Sequence, residues 1–71
     1  MNQINPKKLL GSKWTSLIPI NKEKHFIVVD VEFDEEGVVI ETVIEAVMSK
    51  RTQIIDWRDL KNDELWVYGW K

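Results

Sequence analysis

The sequence predicts a mostly β fold: a small five-stranded antiparallel barrel of the SH3-like or Tudor-like kind, with one short helical turn before the last strand. Three observations carry this expectation. Apolar and acidic residues alternate from His25 to Phe33, with Ile27, Val29, Val31 and Phe33 at odd positions and Asp30 and Glu32 between them. That is the period of a strand with one buried and one wet face. β-Branched residues dominate the next run, from Val38 to Met48, which favours strand over helix. Between the two lies Asp34-Glu35-Glu36-Gly37, a hairpin loop with glycine at its left-handed position.

The remaining elements follow in chain order. Met1 to Pro19 has no sustained period: Asn5-Pro6 reads as a turn, Gly11-Ser12 as a break, and Trp14-Thr15 as the start of a short strand. Pro19, flanked by Leu17, Ile18 and Ile20, makes that stretch an edge strand or a loop. Asn21 to Lys24 is a charged connection. In Val38 to Met48 the residues Val38, Ile40, Thr42, Ile44, Ala46 and Met48 share the inner face, and Glu41, Val43, Glu45 and Val47 the outer one. Ser49-Lys50-Arg51 turns the chain into a third strand, Thr52 to Trp57, with Ile54 and Ile55 on opposite faces. Asp56 to Asp63 has the character of a single helical turn, and Leu65 to Tyr68 is a short strand ended by Gly69. Residues 1–71 are thus expected to form a single small β domain, with 1–12 a loosely ordered N-terminal segment. Closure into a barrel would remove exposed edges. The alternative is an open antiparallel meander covered by the two terminal segments.

Composition narrows the function classes. The chain has 71 residues, no Cys, one His and a net charge of −2. A disulfide framework and a thiolate zinc site are excluded, and a transition-metal site is not expected. No cofactor is implied. Met1 to Leu10 is polar and does not read as a signal peptide. No apolar run approaches the ~18 residues of a membrane span, so no membrane partner is expected, and the absence of Cys points to a reduced cytoplasm. Charge is unevenly spread. Residues 1–25 carry five Lys against Glu23, residues 30–45 carry seven acids and no base, and residues 46–71 carry five bases and four acids. The acidic hairpin lacks the pattern of a calcium loop.

Lys13-Trp14-Thr15, Pro19, Glu23-Lys24-His25-Phe26, Glu45 to Arg51, Asp56-Trp57-Arg58-Asp59-Leu60-Lys61 and Trp66-x-x-Gly69-Trp70 occur in one order along nearly the whole chain. In this combination the sequence resembles the small tryptophan-rich family of uncharacterised bacterial proteins. The resemblance implies a stand-alone bacterial protein whose tryptophan positions are family features. It implies no activity, substrate or cofactor.

Four tryptophans in so short a chain supply the candidate chemistry. Indoles beyond the needs of the core suit a binding surface. On one strand Trp66, Tyr68 and Trp70 would share a face, forming a platform for bases or a cage for a cation; alternatively Trp66 fills the core with the other two packed over it. Arg58 beside Trp57, with Lys50 and Arg51 in a turn, would clamp a phosphate or carboxylate, whereas the local alternative is an Asp56 cap with Arg58 paired to it. His25, the lone histidine, reads as a surface or rim residue. The expectation is a small binding module with ligand-binding residues Lys13, Trp14, Lys50, Arg51, Trp57, Arg58, Tyr68 and Trp70. Its ligand would be single-stranded nucleic acid or an extended peptide. The alternative is a protein-interaction subunit or regulator, homodimeric through the strip around Val43 and Val47, with its tryptophans mainly structural. An enzyme is not expected, because a chain of this length with one His and no Cys has little room for a pocket and its supporting shell.

Overall fold

The computed structural model describes residues 2–71. A 3₁₀ turn, η1, spans Pro6–Lys8. Strands β1 (Lys13–Ile20), β2 (Glu23–Phe33), β3 (Val39–Ala46) and β4 (Thr52–Ile55) follow, then a second 3₁₀ turn, η2 (Trp57–Lys61), and β5 (Trp66–Tyr68). All five strands form one antiparallel sheet in the order β4-β3-β2-β1-β5. β1 to β4 are a meander, and β5 returns to the free side of β1. The five antiparallel strands and the helical turn match the expectation. The sheet is not closed, however: β4 and β5 are its two edges, and no ladder joins them among the described residues. Both are short, four and three residues, and η2 lies between them in the chain.

Pairing explains which residues are inside. Trp14 lies opposite Phe26 on one side and Tyr68 on the other, so these rings share the inner face. Val28 pairs with Ile44 and Phe26 with Ala46 on that same face. Leu9, Trp14, Phe26, Val28, Ile44, Ala46 and Leu60 are buried together, with Ile4, Val31, Val39, Ile55, Trp57 and Trp66 packed against them.

The expected buried face of β2 is corrected in its first half and again at Phe33, which is exposed. Val28 lies opposite Ile44 but Asp30 lies opposite Val43, so Val29 is an extra residue in a β-bulge. Inward positions are even before the bulge, Phe26 and Val28, and odd after it, Val31. Val29 is left exposed. A second shift, between Glu32 and Phe33, inserts Ile40 into β3. Thr42, Ile44 and Ala46 are inside as expected, whereas Val38, Ile40 and Met48 are exposed.

Within the segment expected to be loosely ordered, Asn2, Ile4 and Leu9 contact the rest of the domain. Leu9 is buried in the core. The Asn2 side-chain amide donates to the Leu60 carbonyl (2.9 Å) and the Trp66 carbonyl (2.8 Å). The Trp14 Nε1–H donates to Ser12 Oγ (2.9 Å), which in turn donates to the Leu9 carbonyl (2.6 Å). This segment and η2, through Leu60, cover one end of the inner face.

Candidate functional site

The other end of the inner face is uncovered. Ser16, Ile18 and Ile20 follow Trp14 along the cleft side of β1, across a register shift against β2 between Thr15 and Ile20, and Ile18 and Ile20 are exposed. With Phe26, Ala46, Leu65 and Trp66 they wall an apolar cleft of about 540 Å³, completed by Ser16, Glu23, Arg51, Thr52 and Gln53. The cleft runs between β4 on one side and the β1–β5 side of the sheet on the other. Six of its eleven lining residues are apolar, and its size lies within the range of small-molecule pockets. The Trp66 ring meets Phe26 edge-on, with centroids 5.4 Å apart, which fixes the floor.

The β1–β2 hairpin positions the polar end. Asn21 and Lys22 both have positive φ, 57° and 63°, the pair of conformations a two-residue type I′ turn requires. The turn sets Ile20 opposite Glu23. Glu23 is only 8% exposed in its side chain. Arg51 grips it through two bonds, Nη2 to Oε1 (2.6 Å) and Nε to Oε2 (3.0 Å), and the Ser49 hydroxyl donates to Oε2. The Arg51 and Ser49 hydrogen bonds hold the Glu23 carboxyl below its ordinary value against the opposing effect of burial, and Glu23 raises Arg51 in return. Arg51 lines the cleft, and its Nη1 amino group has no hydrogen-bond partner among the described residues and can donate to an anion.

A second, shallower hollow of about 330 Å³ lies between β3, β4 and the start of η2, bordered by Val39, Ile40, Ile54, Ile55, Trp57 and Arg58. Asp56 caps η2 by accepting from the Arg58 backbone N–H (3.0 Å) and pairs with the Arg58 guanidinium through Nε (3.1 Å) and Nη2 (2.9 Å). Those bonds lower Asp56 and raise Arg58. Lys61 lies over the Trp57 ring at 4.6 Å.

The C-terminus closes over the outer face of β1 and β2. Gly69, with φ +85°, ends β5 and turns the chain. The Trp70 Nε1–H donates to the Phe26 carbonyl (2.9 Å), and Lys13 Nζ sits 4.8 Å over its ring. Thr15 Oγ1 donates to the Gly69 carbonyl (2.7 Å) and accepts from the Lys71 N–H (2.9 Å), while the His25 Nε2–H donates to the main-chain oxygen of Lys71 (2.9 Å). Thr15 is buried beneath this strap. Trp66 and Tyr68 therefore share the inner side, and Trp70 lies on the other one.

The expected ligand-binding set is divided accordingly. Trp14 is fully buried and cannot stack a ligand. Tyr68 stands edge-on to it at 5.1 Å, with an exposed rim. Lys13 and Trp70 hold each other on the outer face, Trp57 and Arg58 belong to η2, and Lys50 occupies the β3–β4 turn with φ 63°. Only Arg51 of the eight lines the cleft. Sequence reasoning missed Ile18, Ile20, Phe26, Gln53 and Leu65 as its walls, and expected Trp66 on a platform with Tyr68 and Trp70 or in the core. The signal was partly present: the spacing Trp14, Ser16, Ile18, Ile20 runs past Pro19 through the stretch expected as an edge strand or a loop, while the register shift against β2 between Thr15 and Ile20 is not visible in local spacing.

Among the described residues no group of three or more His, Asp or Glu is placed to hold a metal ion. No helix among them is long and apolar enough to cross a membrane. A family model, Tryptophan-rich protein (DUF2389), matches residues 12–71, and the chain belongs to that family. Comparison with curated proteins and with solved structures finds no match.

Proposed function

We propose that this member of the tryptophan-rich family is a small binding module whose ligand is an extended peptide, held by its apolar side chains in the cleft beside Trp66. One observation carries the reading: the inner apolar face continues from the core into solvent around Ile18, Ile20 and Leu65, next to an anchored ion pair. Contiguous exposed apolar surface marks an interaction site. Seating one leucine-sized side chain there is worth about 1.5–3 kcal/mol before ordering costs. Single-stranded nucleic acid fits less well. Arg51 and Arg58 each commit Nε and Nη2 to a carboxylate, which leaves one amino group apiece, enough for a single carboxylate but not for a run of phosphates; Trp14 is inside, and the chain is acidic.

The strand order and the helical turn before β5 support a small barrel of the SH3-like or Tudor-like kind opened along the β4–β5 seam, with the cleft lying in that seam. The lack of Cys fits a reduced bacterial cytoplasm. The alternative, a self-associating interaction subunit, is favoured by one feature: Ile54 is exposed on the outer face opposite Val43.

The test is a titration of isotope-labelled protein with short apolar peptides and, separately, with a single-stranded oligoribonucleotide. The Trp66 indole and Gln53 side-chain signals are expected to move with peptide and to stay with RNA. Salt-reversible movement with RNA alone would overturn the reading, and concentration-dependent mass without either ligand would favour the self-associating subunit.

A further inference from the structure

We infer that β4 is the strand to which that peptide adds, antiparallel, with a side chain opposite Gln53 entering the cleft and an acidic residue reaching Arg51. The inference rests on the peptide reading above and goes beyond it by naming the main-chain groups and the charge that select the ligand.

The phase of the β3–β4 ladder decides which groups are free. The Ala46 N–H donates to the Arg51 carbonyl (2.8 Å), so Arg51, Gln53 and Ile55 turn their main-chain groups toward β3. By alternation the N–H and C=O of Thr52 and Ile54 point away from the sheet, along its edge. Edge strands in folded proteins are usually protected by charge, proline or a bulge. Thr52–Ile55 carries none of these, and Ile54 is 69% exposed. Side chains follow the same alternation. Gln53 pairs with Ile44 on the inner face, and both Gln53 and Arg51 line the cleft.

A strand added antiparallel to β4 continues the pattern of the whole sheet. Its residues opposite Thr52 and Ile54 exchange main-chain hydrogen bonds. Its residue opposite Gln53 points into the cleft, and the residue two positions further toward its C-terminus stands opposite Arg51 on the same side. Charge identifies that last residue. The β1–β2 and β3–β4 turns lie at one end of the sheet, and residues 21–24 and 47–51 carry Lys22, Lys24, Lys50 and Arg51 against Glu23, which Arg51 already holds. The uncommitted Nη1 group of Arg51 favours a carboxylate.

The probe is acetyl-Thr-Thr-Leu-Thr-Asp-amide, titrated into the labelled full chain. Shifts are expected at the Thr52 and Ile54 amides and the Trp66 indole. N-methylating either threonine that flanks the leucine is expected to weaken binding about tenfold or more, because each lost amide removes a main-chain bond. N-methylating the leucine should change affinity by less than about twofold, and Asp replaced by Asn in the peptide should weaken it about tenfold. On the protein side, Ile54→Pro removes an outward N–H that the β3 ladder does not use, so binding is lost while the amide spectrum keeps the fold. If Ile54→Pro does not fold, the N-methyl series decides alone. Trp66 shifts with equal affinity for all N-methyl peptides would overturn strand addition and leave the cleft reading standing. Absence of any shift overturns both. Movement of the β4 amides with protein concentration alone assigns the edge to a second copy and overturns the inference.

Discussion

Replacing Trp14 by alanine removes the largest fully buried side chain from the middle of the inner face, where it packs on Phe26 across one ladder and Tyr68 across the other. The cost combines lost burial with a cavity that a 71-residue sheet can only partly close, about 3–5 kcal/mol for a buried Trp→Ala change. A chain of this length has about 4–11 kcal/mol in total. With a urea slope near 1 kcal/mol per molar, the midpoint should fall by roughly 3 M or more, and a parent at the lower end of that range would be partly unfolded without denaturant. Trp14→Phe keeps a ring but loses volume and the indole N–H that reaches Ser12 Oγ. Its expected cost is smaller, about 1–2 kcal/mol. Far-UV circular dichroism is the readout, because tryptophan fluorescence changes with the substitution itself. If Trp14→Ala unfolds within about 0.5 M of the parent, the placement of Trp14 and of the whole inner face is wrong, and a ligand-contacting Trp14 returns.

Thr42 is fully buried and its hydroxyl has no hydrogen-bond partner among the described residues; Thr42→Val should raise stability by on the order of 1 kcal/mol in chemical denaturation. Lys22 has φ 63° in the β1–β2 turn, where a side chain is strained, so Lys22→Gly should stabilise by roughly 1 kcal/mol, read as a higher thermal midpoint. Glu23 has a folded pKa below its ordinary value of 4.5, so its stabilising contribution is complete above about 4.5 and is lost as pH falls through the lower folded value. Glu23→Gln should therefore be less stable than the parent at neutral pH, and the gap should narrow in acid; a gap unchanged down to the lowest pH at which the parent folds would show that the pair with Arg51 is not formed.

Local signals carried most of the element boundaries. The alternation from His25, the Asp34–Gly37 loop and the Asp56 cap each depend on neighbours within a few residues, and each is where the sequence places it. Gly37 has the expected positive φ, 83°. What could not be read locally is the phase of each strand relative to its partner. Nothing in Ile27-Val28-Val29-Asp30 says that Val29 will be extra, since all three apolar residues suit either face. The bulge is decided by β3, whose Ile44 and Thr42 must both face inward against Val28 and Val31. The candidate site escaped for a related reason. Its walls come from all five strands, and its polar end joins Glu23 to Arg51 across 28 residues of sequence.

The same logic explains why counting tryptophans misplaces the binding surface. A tryptophan's role depends on the strand parity on which it falls and on whether something interrupts that parity. Trp14 and Trp66 share the inner side through their β1–β5 pairing, yet only Trp14 lies beneath the N-terminal segment and η2, while Trp66 reaches the end those segments leave bare. Trp70 would have shared that side two residues beyond Tyr68, but the positive φ of Gly69 breaks the alternation and sends its indole to the Phe26 carbonyl and Lys13 on the far face. Trp57, on η2, is held by Lys61 and the core. One tryptophan is thus core, Trp57 and Trp70 are fastened by cationic or main-chain partners, and Trp66 borders the larger cleft without a cation over its ring among the described residues. A ligand that reads this protein through an indole should therefore perturb Trp66 before the others.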